Sequence, residues 1–332
     1  MNAGTGTDAG RAEAVAFLAT VPLFDGIPEA ELADLARLLR RRNLPAGEFL
    51  WREGDEGVAM FLIVDGSVSV SLCLPGHRAV EVASLGRGEV LGEIPLLDGA
   101  RHPTTARAVE PVSLLWLGRA DFAALISRSN TTAFVLKRCI ARVACARLRS
   151  LLAALLASLG DDAAAKPEAE ATVPFVDPDF CGPPNSGYVR RLATFRAFDS
   201  LALWGFLTAG RFARCPTGRT LVVEGAASTA CYVTMNGAVE KVIVRGGHRI
   251  RVGLAGPGQA FGYESLLDGH PSPVTAVTRE RTLILVVPKN AFERLFTGET
   301  AGSHVFLDVI HRDLMTALRQ ALSARARLAS SV

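Results

Sequence analysis

Residues Leu91-Gly92-Glu93-Ile94-Pro95-Leu96-Leu97-Asp98-Gly99 return later in the chain as Phe261-Gly262-Tyr263-Glu264-Ser265-Leu266-Leu267-Asp268-Gly269. The likeness extends well beyond that stretch. Pro45, Gly47, Glu53-Gly54, Phe61 and Asp65-Gly66 correspond to Pro216, Gly218, Glu224-Gly225, Tyr232 and Asn236-Gly237 at an offset of 171. Gly88, Thr105-Ala106 and Phe122 correspond to Gly258, Thr275-Ala276 and Phe292 at an offset of 170. One residue is lost in the hairpin between the two sets, where length is tolerated. Such a chain folds one architecture twice, and its 332 residues suffice for two domains, each with its own core.

Within the first copy, residues Glu13 to Thr20 carry apolar positions at helical spacing. A second helix starts after Pro28, with Glu29 and Glu31 at its positive end and Leu32, Leu35, Leu38 and Leu39 in one stripe. Arg40, Arg41 and Arg42 read as cations closing that helix. From Pro45 the period changes to two. Short β-type runs at Phe49–Trp51, Met60–Val64, Val68–Leu72, Ala79–Val82, Thr105–Val109 and Val112–Leu117 are separated by glycine turns, Asp65-Gly66 being a strong hairpin signal. Helical spacing returns from Asp121 to about Leu159. Residues 160–187, rich in proline and poor in periodicity, read as a linker, and a helical stretch around Tyr188 to Leu207 opens the second copy.

The expected fold is mainly β with flanking α: two tandem jelly-roll β-barrels, each with helices before and after. The expected boundaries are a disordered lead at 1–11, a first domain at 12–159 ending in a long helix, a linker at 160–187 and a second domain at 188–332. Phe134, Leu136, Ile140, Val143, Leu148, Leu151, Leu152, Leu155 and Leu159 make the far end of that long helix apolar around most of its circumference. It therefore forms either a homodimer seam or a packing surface for the second repeat.

The repeated glycine permits close approach of backbone to a ligand, and a short apolar helix begins directly after it, so free N–H groups and the helix dipole favour an anion there. The ordered series of Glu53-Gly54-Asp55, Asp65-Gly66, Gly88, Leu91-Gly92-Glu93 and Leu96-Leu97-Asp98-Gly99, occurring twice with its flanking helices, resembles the cyclic nucleotide-binding domain family. That family is shared by catabolite-activator-type regulators, kinase regulatory subunits and nucleotide-gated channels. The resemblance covers about residues 15–158 and 190–325.

The resemblance implies that Gly92, Glu93 and Ile94 face a cyclic nucleotide, cAMP or cGMP, with Glu93 accepting from the ribose 2′-hydroxyl. The family's phosphate arginine falls on His102, with Arg101 one position early, and Thr104 and Thr105 offer hydroxyls. One helix position that donates an N–H in the family falls on Pro95, which has none. The second copy departs further: Gly262 remains, but Tyr263 stands at the ribose-carboxylate position, Glu264 is displaced by one, and Ser272 replaces the arginine. Loss of the phosphate cation there predicts a degenerate site.

A net charge of +3 is too small to argue for nucleic acid, and the residues after Phe296 read as one or two helices without a winged helix. The apolar run near Leu151 to Leu159 is too short to span a bilayer, and the N-terminus lacks the pattern of a secretory signal. The six cysteines form no CxxC pair and read as buried or incidental thiols. No catalytic or metal-ligating residues and no cofactor are expected. The reading is a non-catalytic, cytoplasmic, cyclic-nucleotide-responsive regulator acting on a protein effector. The alternatives are a ligand-independent interaction or scaffold protein, or a sensor of another small anion.

Overall fold

The computed structural model describes residues 8–21, 24, 27–73, 79–127, 131–157, 179–245 and 248–329. The chain divides into two compact units, the first reaching Val143 and taking in the chain again from Ala326, the second running from Ala144 to Arg325 and so including most of the last helix.

The first unit opens with helices α1 (Asp8–Thr20) and α2 (Glu29–Leu38), followed by strands β1 (Arg40–Leu44), β2 (Phe49–Trp51), β3 (Ala59–Asp65), β4 (Val68–Cys73), β5 (Ala79–Leu85) and β6 (Val90–Leu91). Helix α3 (Glu93–Asp98), strands β7 (Thr105–Ala108) and β8 (Val112–Gly118) and helix α4 (Arg119–Ser127) come next, and α5 (Thr131–Ala157) begins here. Two four-stranded sheets form, ordered β1-β8-β3-β6 and β2-β7-β4-β5. Alternation along β3 explains how they pack. Ala59, Phe61 and Ile63 join Val68, Leu85, Ala106 and Ala108 in a core fed by both sheets, while Met60 and Leu62 turn to the opposite face, against α1, α2 and the start of α5. The jelly roll is thus a two-sheet sandwich, and among the described residues the sheets do not close into one barrel.

The arginine triplet differs from its expected place. Helix α2 ends at Leu38, and Arg40 to Arg42 lie in β1, paired antiparallel with Leu114 to Trp116 of β8. Their charges are met from other elements: Arg40 pairs with Asp121 at 3.1 Å and Arg41 with Glu13 at 3.1 Å. The strand's ladder partners, not a helix dipole, fix them.

The second unit contains β9 (Asp179–Cys181), α6 (Ser186–Arg191), α7 (Ser200–Leu207), β10 (Arg211–Cys215), β11 (Thr220–Val222), β12 (Ala230–Asn236), β13 (Val239–Arg245), β14 (His248–Ala255) and β15 (Ala260–Phe261). It continues through α8 (Glu264–Asp268), β16 (Thr275–Thr278), β17 (Thr282–Pro288), α9 (Lys289–Thr297) and α10 (Ala301–Ala329). Its sheets run β15-β12-β17-β10-β9 and β11-β16-β13-β14, again sharing one core. Phe306 of α10 meets Phe206 of α7 and stands edge-on to Phe292 of α9, with ring centroids 6.0 and 5.2 Å away. The helical stretch expected around Tyr188 to Leu207 comprises two helices, the second started by Asp199, which accepts from the amides of Leu201 and Ala202 at 2.9 Å.

Two boundaries differ from the sequence reading. The unit boundary falls inside α5 rather than after it, because from Cys145 onward the helix makes its polar contacts with α8 of the second unit. The linker stretch lies outside the described residues as far as 178; Asp179–Cys181 is strand, adding β9 to the edge at β10, and helix α6 begins at Ser186.

Candidate functional site

In the first unit, β6 delivers the chain to Gly92, whose φ of 83° starts α3 without a side-chain cap. A Cβ at that position would stand 2.7 Å from the Ala59 carbonyl oxygen, so both conformation and space require glycine. Glu93 comes next, fully buried in the first turn, and Ile94 is buried beside it. Pro95 supplies no N–H, and its ring occupies the space a Cβ on Gly57 would fill, 2.0 Å from that position. The third residue of this helix therefore packs against the β2–β3 loop.

The loop after α3 separates the two candidate cations. Arg101 lies at the rim with about two-thirds of its side chain exposed, donating to the Gly54 carbonyl oxygen at 2.7 Å and lying 3.8 Å from Glu56. His102 is buried, its ring stacked on Trp51 with centroids 4.1 Å apart. Trp51 in turn stands 3.5 Å from the position of a Gly92 Cβ. Gly92 and His102 are thus brought together across one indole ring, whereas Arg101 is committed to the loop of Gly54 and Glu56. Thr104 is buried, and Thr105 accepts from the Glu53 amide at 3.0 Å through its hydroxyl.

Trp51 is a site residue that sequence reasoning passed over. The available signal was the alternation of β2, which turns it inward with Phe61 and Ile63. Its indole Nε1 is buried and finds no hydrogen-bond partner among the described residues.

The second unit builds the same frame and fills it differently. Ser272 repeats the backbone pattern of His102: each accepts from a glycine amide, Gly225 or Gly54, at 2.9 Å. The Ser272 hydroxyl is spent on the Val274 carbonyl oxygen at 2.9 Å. Gly262 keeps its positive φ of 73°. Tyr263, fully buried where the first copy has Glu93, donates from its hydroxyl to Asp313 of α10 at 2.5 Å. The same carboxylate accepts from the Lys241 ammonium of β13 at 3.1 Å, and both partners are buried. Burial, reinforced by the negative charges of Asp313 and Glu264, pushes the Tyr263 hydroxyl well above its ordinary range and keeps it a donor. Burial also raises the Glu264 carboxyl, while the Lys241 charge pulls it back.

The second half of α5 holds the far end of α8. Arg149 forks onto Asp268, Nε to Oδ2 at 2.5 Å and Nη2 to Oδ1 at 2.9 Å, and donates to the Pro271 carbonyl oxygen at 2.7 Å. Cys145 lies against the Glu264 carbonyl oxygen at 3.9 Å. Packing on the second repeat, one of the two roles open to this helix, is therefore what its residues from Cys145 onward do.

Cys139, Cys145, Cys215 and Cys231 are buried, and burial pushes their thiols up, Cys139 to about 12 and Cys215 to about 11. Cys73 is exposed and Cys181 partly so. Among the described residues no three His, Cys, Asp or Glu side chains come together as metal ligands, and no helix is long and apolar enough to cross a membrane.

The sequence of each unit is similar to known proteins. Residues 41–129 and 212–299, together more than half of the chain, match the family described as the cyclic nucleotide-binding domain. A cyclic nucleotide-gated potassium channel of Mesorhizobium japonicum is 39% identical over 121 residues, 36% of this chain and 32% of the channel. The cyclic AMP receptor protein of Thermus thermophilus is 36% identical over 121 residues, 36% of this chain and 56% of the receptor. The chain thus spans about a third of the one relative and just over half of the other. Among solved structures, the regulatory domain of Toxoplasma gondii PKA with cAMP is 19% identical, covering 88% of this chain and 94% of its own, with a TM-score of 0.34. With both of its units matched in sequence, the chain belongs to the cyclic nucleotide-binding domain family.

Proposed function

We propose that this protein is a non-catalytic regulator that responds to a cyclic nucleotide, and that the nucleotide enters the first domain only. The observation that carries this reading is the contrast at one position. The first copy buries a carboxylate, Glu93, directly after Gly92, while the second buries Tyr263 and commits its hydroxyl to Asp313. In the first domain Glu93 accepts from the ribose 2′-hydroxyl, the α3 amides and His102 face the cyclic phosphate, and Thr104 and Thr105 border it. Arg101, engaged with Gly54 and Glu56, serves the rim. In the second domain Tyr263, bonded to Asp313, takes the place of the Glu93 carboxylate. The output passes to a protein effector in the cytoplasm.

The test is calorimetric titration of the full chain with cAMP and with cGMP. One site per chain is expected. Glu93→Gln should weaken it by about tenfold to a hundredfold, corresponding to ~1.5–3 kcal/mol for a hydrogen bond to a charged group. Tyr263→Phe should leave the affinity unchanged. Absence of heat with both nucleotides would leave the ligand-independent interaction protein as the reading, and two equivalent sites would refute the assignment to the first domain.

A further inference from the structure

Arg119, the first residue of α4, shares its backbone contact with the second copy and adds side-chain contacts of its own. Its backbone amide donates to the Val58 carbonyl oxygen at 2.7 Å, and that bond is repeated by Lys289 to Thr229 at 2.9 Å. The side chain adds more. Nε donates to the Gly57 carbonyl oxygen at 2.7 Å, Nη2 donates to the same oxygen, and Nη2 also donates to the Pro95 carbonyl oxygen of α3 at 2.8 Å. One guanidinium therefore joins the β2–β3 loop, the helix that carries Glu93, and the start of α4.

Two features make this brace stiff. Gly57 and Pro95 are in direct contact, leaving no room for a Cβ between them. The Pro95 oxygen also accepts from Gly99 at 3.0 Å, which closes α3 at its far end. In the second copy the corresponding residues are Ser228, Ser265 and Lys289, and a single bond from the Ser228 amide to the Ser265 hydroxyl at 3.2 Å takes the place of the cation. The copy with a carboxylate directly after its glycine, Glu93 after Gly92, is the one that has the brace.

We propose that Arg119 is the positioning residue through which occupation of the Gly92–Glu93 site is passed to α4. A rigid guanidinium bound to carbonyl oxygens on two elements makes a displacement of α3 a displacement of the first turn of α4. Pro95, which gives no N–H to a ligand, supplies its carbonyl oxygen to this link instead. The inference rests on the reading that a cyclic nucleotide occupies the first domain.

Hydrogen exchange on the full chain tests it, with and without saturating cAMP, for the wild type, Arg119→Ala, Arg119→Lys and the control Lys289→Ala. In the wild type, cAMP should slow exchange in both α3 and α4. In Arg119→Ala the α3 response should persist and the α4 response should vanish, with Arg119→Lys restoring part of it. An undiminished α4 response in Arg119→Ala would overturn the proposal.

A second readout needs no nucleotide. In the free protein, Arg119→Ala should speed exchange in α3, the Gly99 amide included, by about tenfold or more, whereas Lys289→Ala leaves α8 unchanged. Unaltered α3 exchange in free Arg119→Ala refutes the brace even if calorimetry detects no cyclic nucleotide, a result that by itself sinks only the proposed function.

Discussion

A buried carboxyl group with an oxygen left outside any hydrogen bond is a proton-binding site whose state differs between folded and unfolded chain. Glu264 is of this kind: its Oε2 finds no partner among the described residues, and burial raises its pKa above the ordinary 4.5 despite the nearby Lys241. The folded protein thus holds the proton to higher pH than the unfolded chain does. Its contribution to stability is complete below the unfolded value and is lost as pH rises through the folded one. Urea midpoints of the wild type should therefore fall as pH rises above the ordinary glutamate value of 4.5, and Glu264→Gln should flatten that slope. A slope unchanged by the substitution would assign it to other groups. Residue identity was the most legible level of the site: Gly92, Glu93 and Tyr263 stand where the repeat alignment puts them. The fate of Arg101 and His102 was not, because it depends on Trp51, Gly54 and Glu56, which no spacing rule ties to them.

At the scale of elements, the second domain is fastened by three side chains from three places. Lys241 comes from β13, Tyr263 from the turn into α8 and Asp313 from α10, and their polar ends meet where all three side chains are buried. A buried pair of this sort is costly to break because one charge is left alone, yet replacing both partners by apolar groups is often neutral or better. Asp313→Leu alone should cost ~3–5 kcal/mol in equilibrium unfolding, while the pair Lys241→Met with Asp313→Leu should recover most of that loss. If the double variant is as unstable as the single, the cost comes from packing and the ion pair is incidental. Among the described residues Asp313 meets Lys241 and Tyr263, contacts that tie α10 to β13 and to the turn into α8. Nothing in the sequence announces this, since the helical period of α10 treats Asp313 as one polar residue among others.

For the whole molecule, the doubled offset in the sequence was enough to establish two copies of one fold, though as barrels rather than the two-sheet sandwiches observed, because glycines and short strands mark turns but not how the sheets close. It could not say where one unit yields to the next. Helix α5 keeps one period through Val143 and Ala144, and only the position of Asp268 and Pro271 reveals which core Arg149 serves.

The buried thiols give the two halves separate clocks. Cys139 lies in the first unit, and Cys215 and Cys231 lie in the second. With their acidity suppressed by burial, each can meet a thiol-modifying reagent only when its own unit opens. Mass-resolved alkylation of the native protein should mark Cys73 and Cys181 first and then report two independent opening rates. A nucleotide held by the first domain alone should slow modification of Cys139 by about a hundredfold at a ligand concentration about a hundred times its dissociation constant, leaving Cys215 and Cys231 on their original schedule. Equal slowing at all three would mean that the two units open as one. The buried cysteines, shielded from the reagent while their own unit stays folded, thus record which half of the molecule has taken up its ligand.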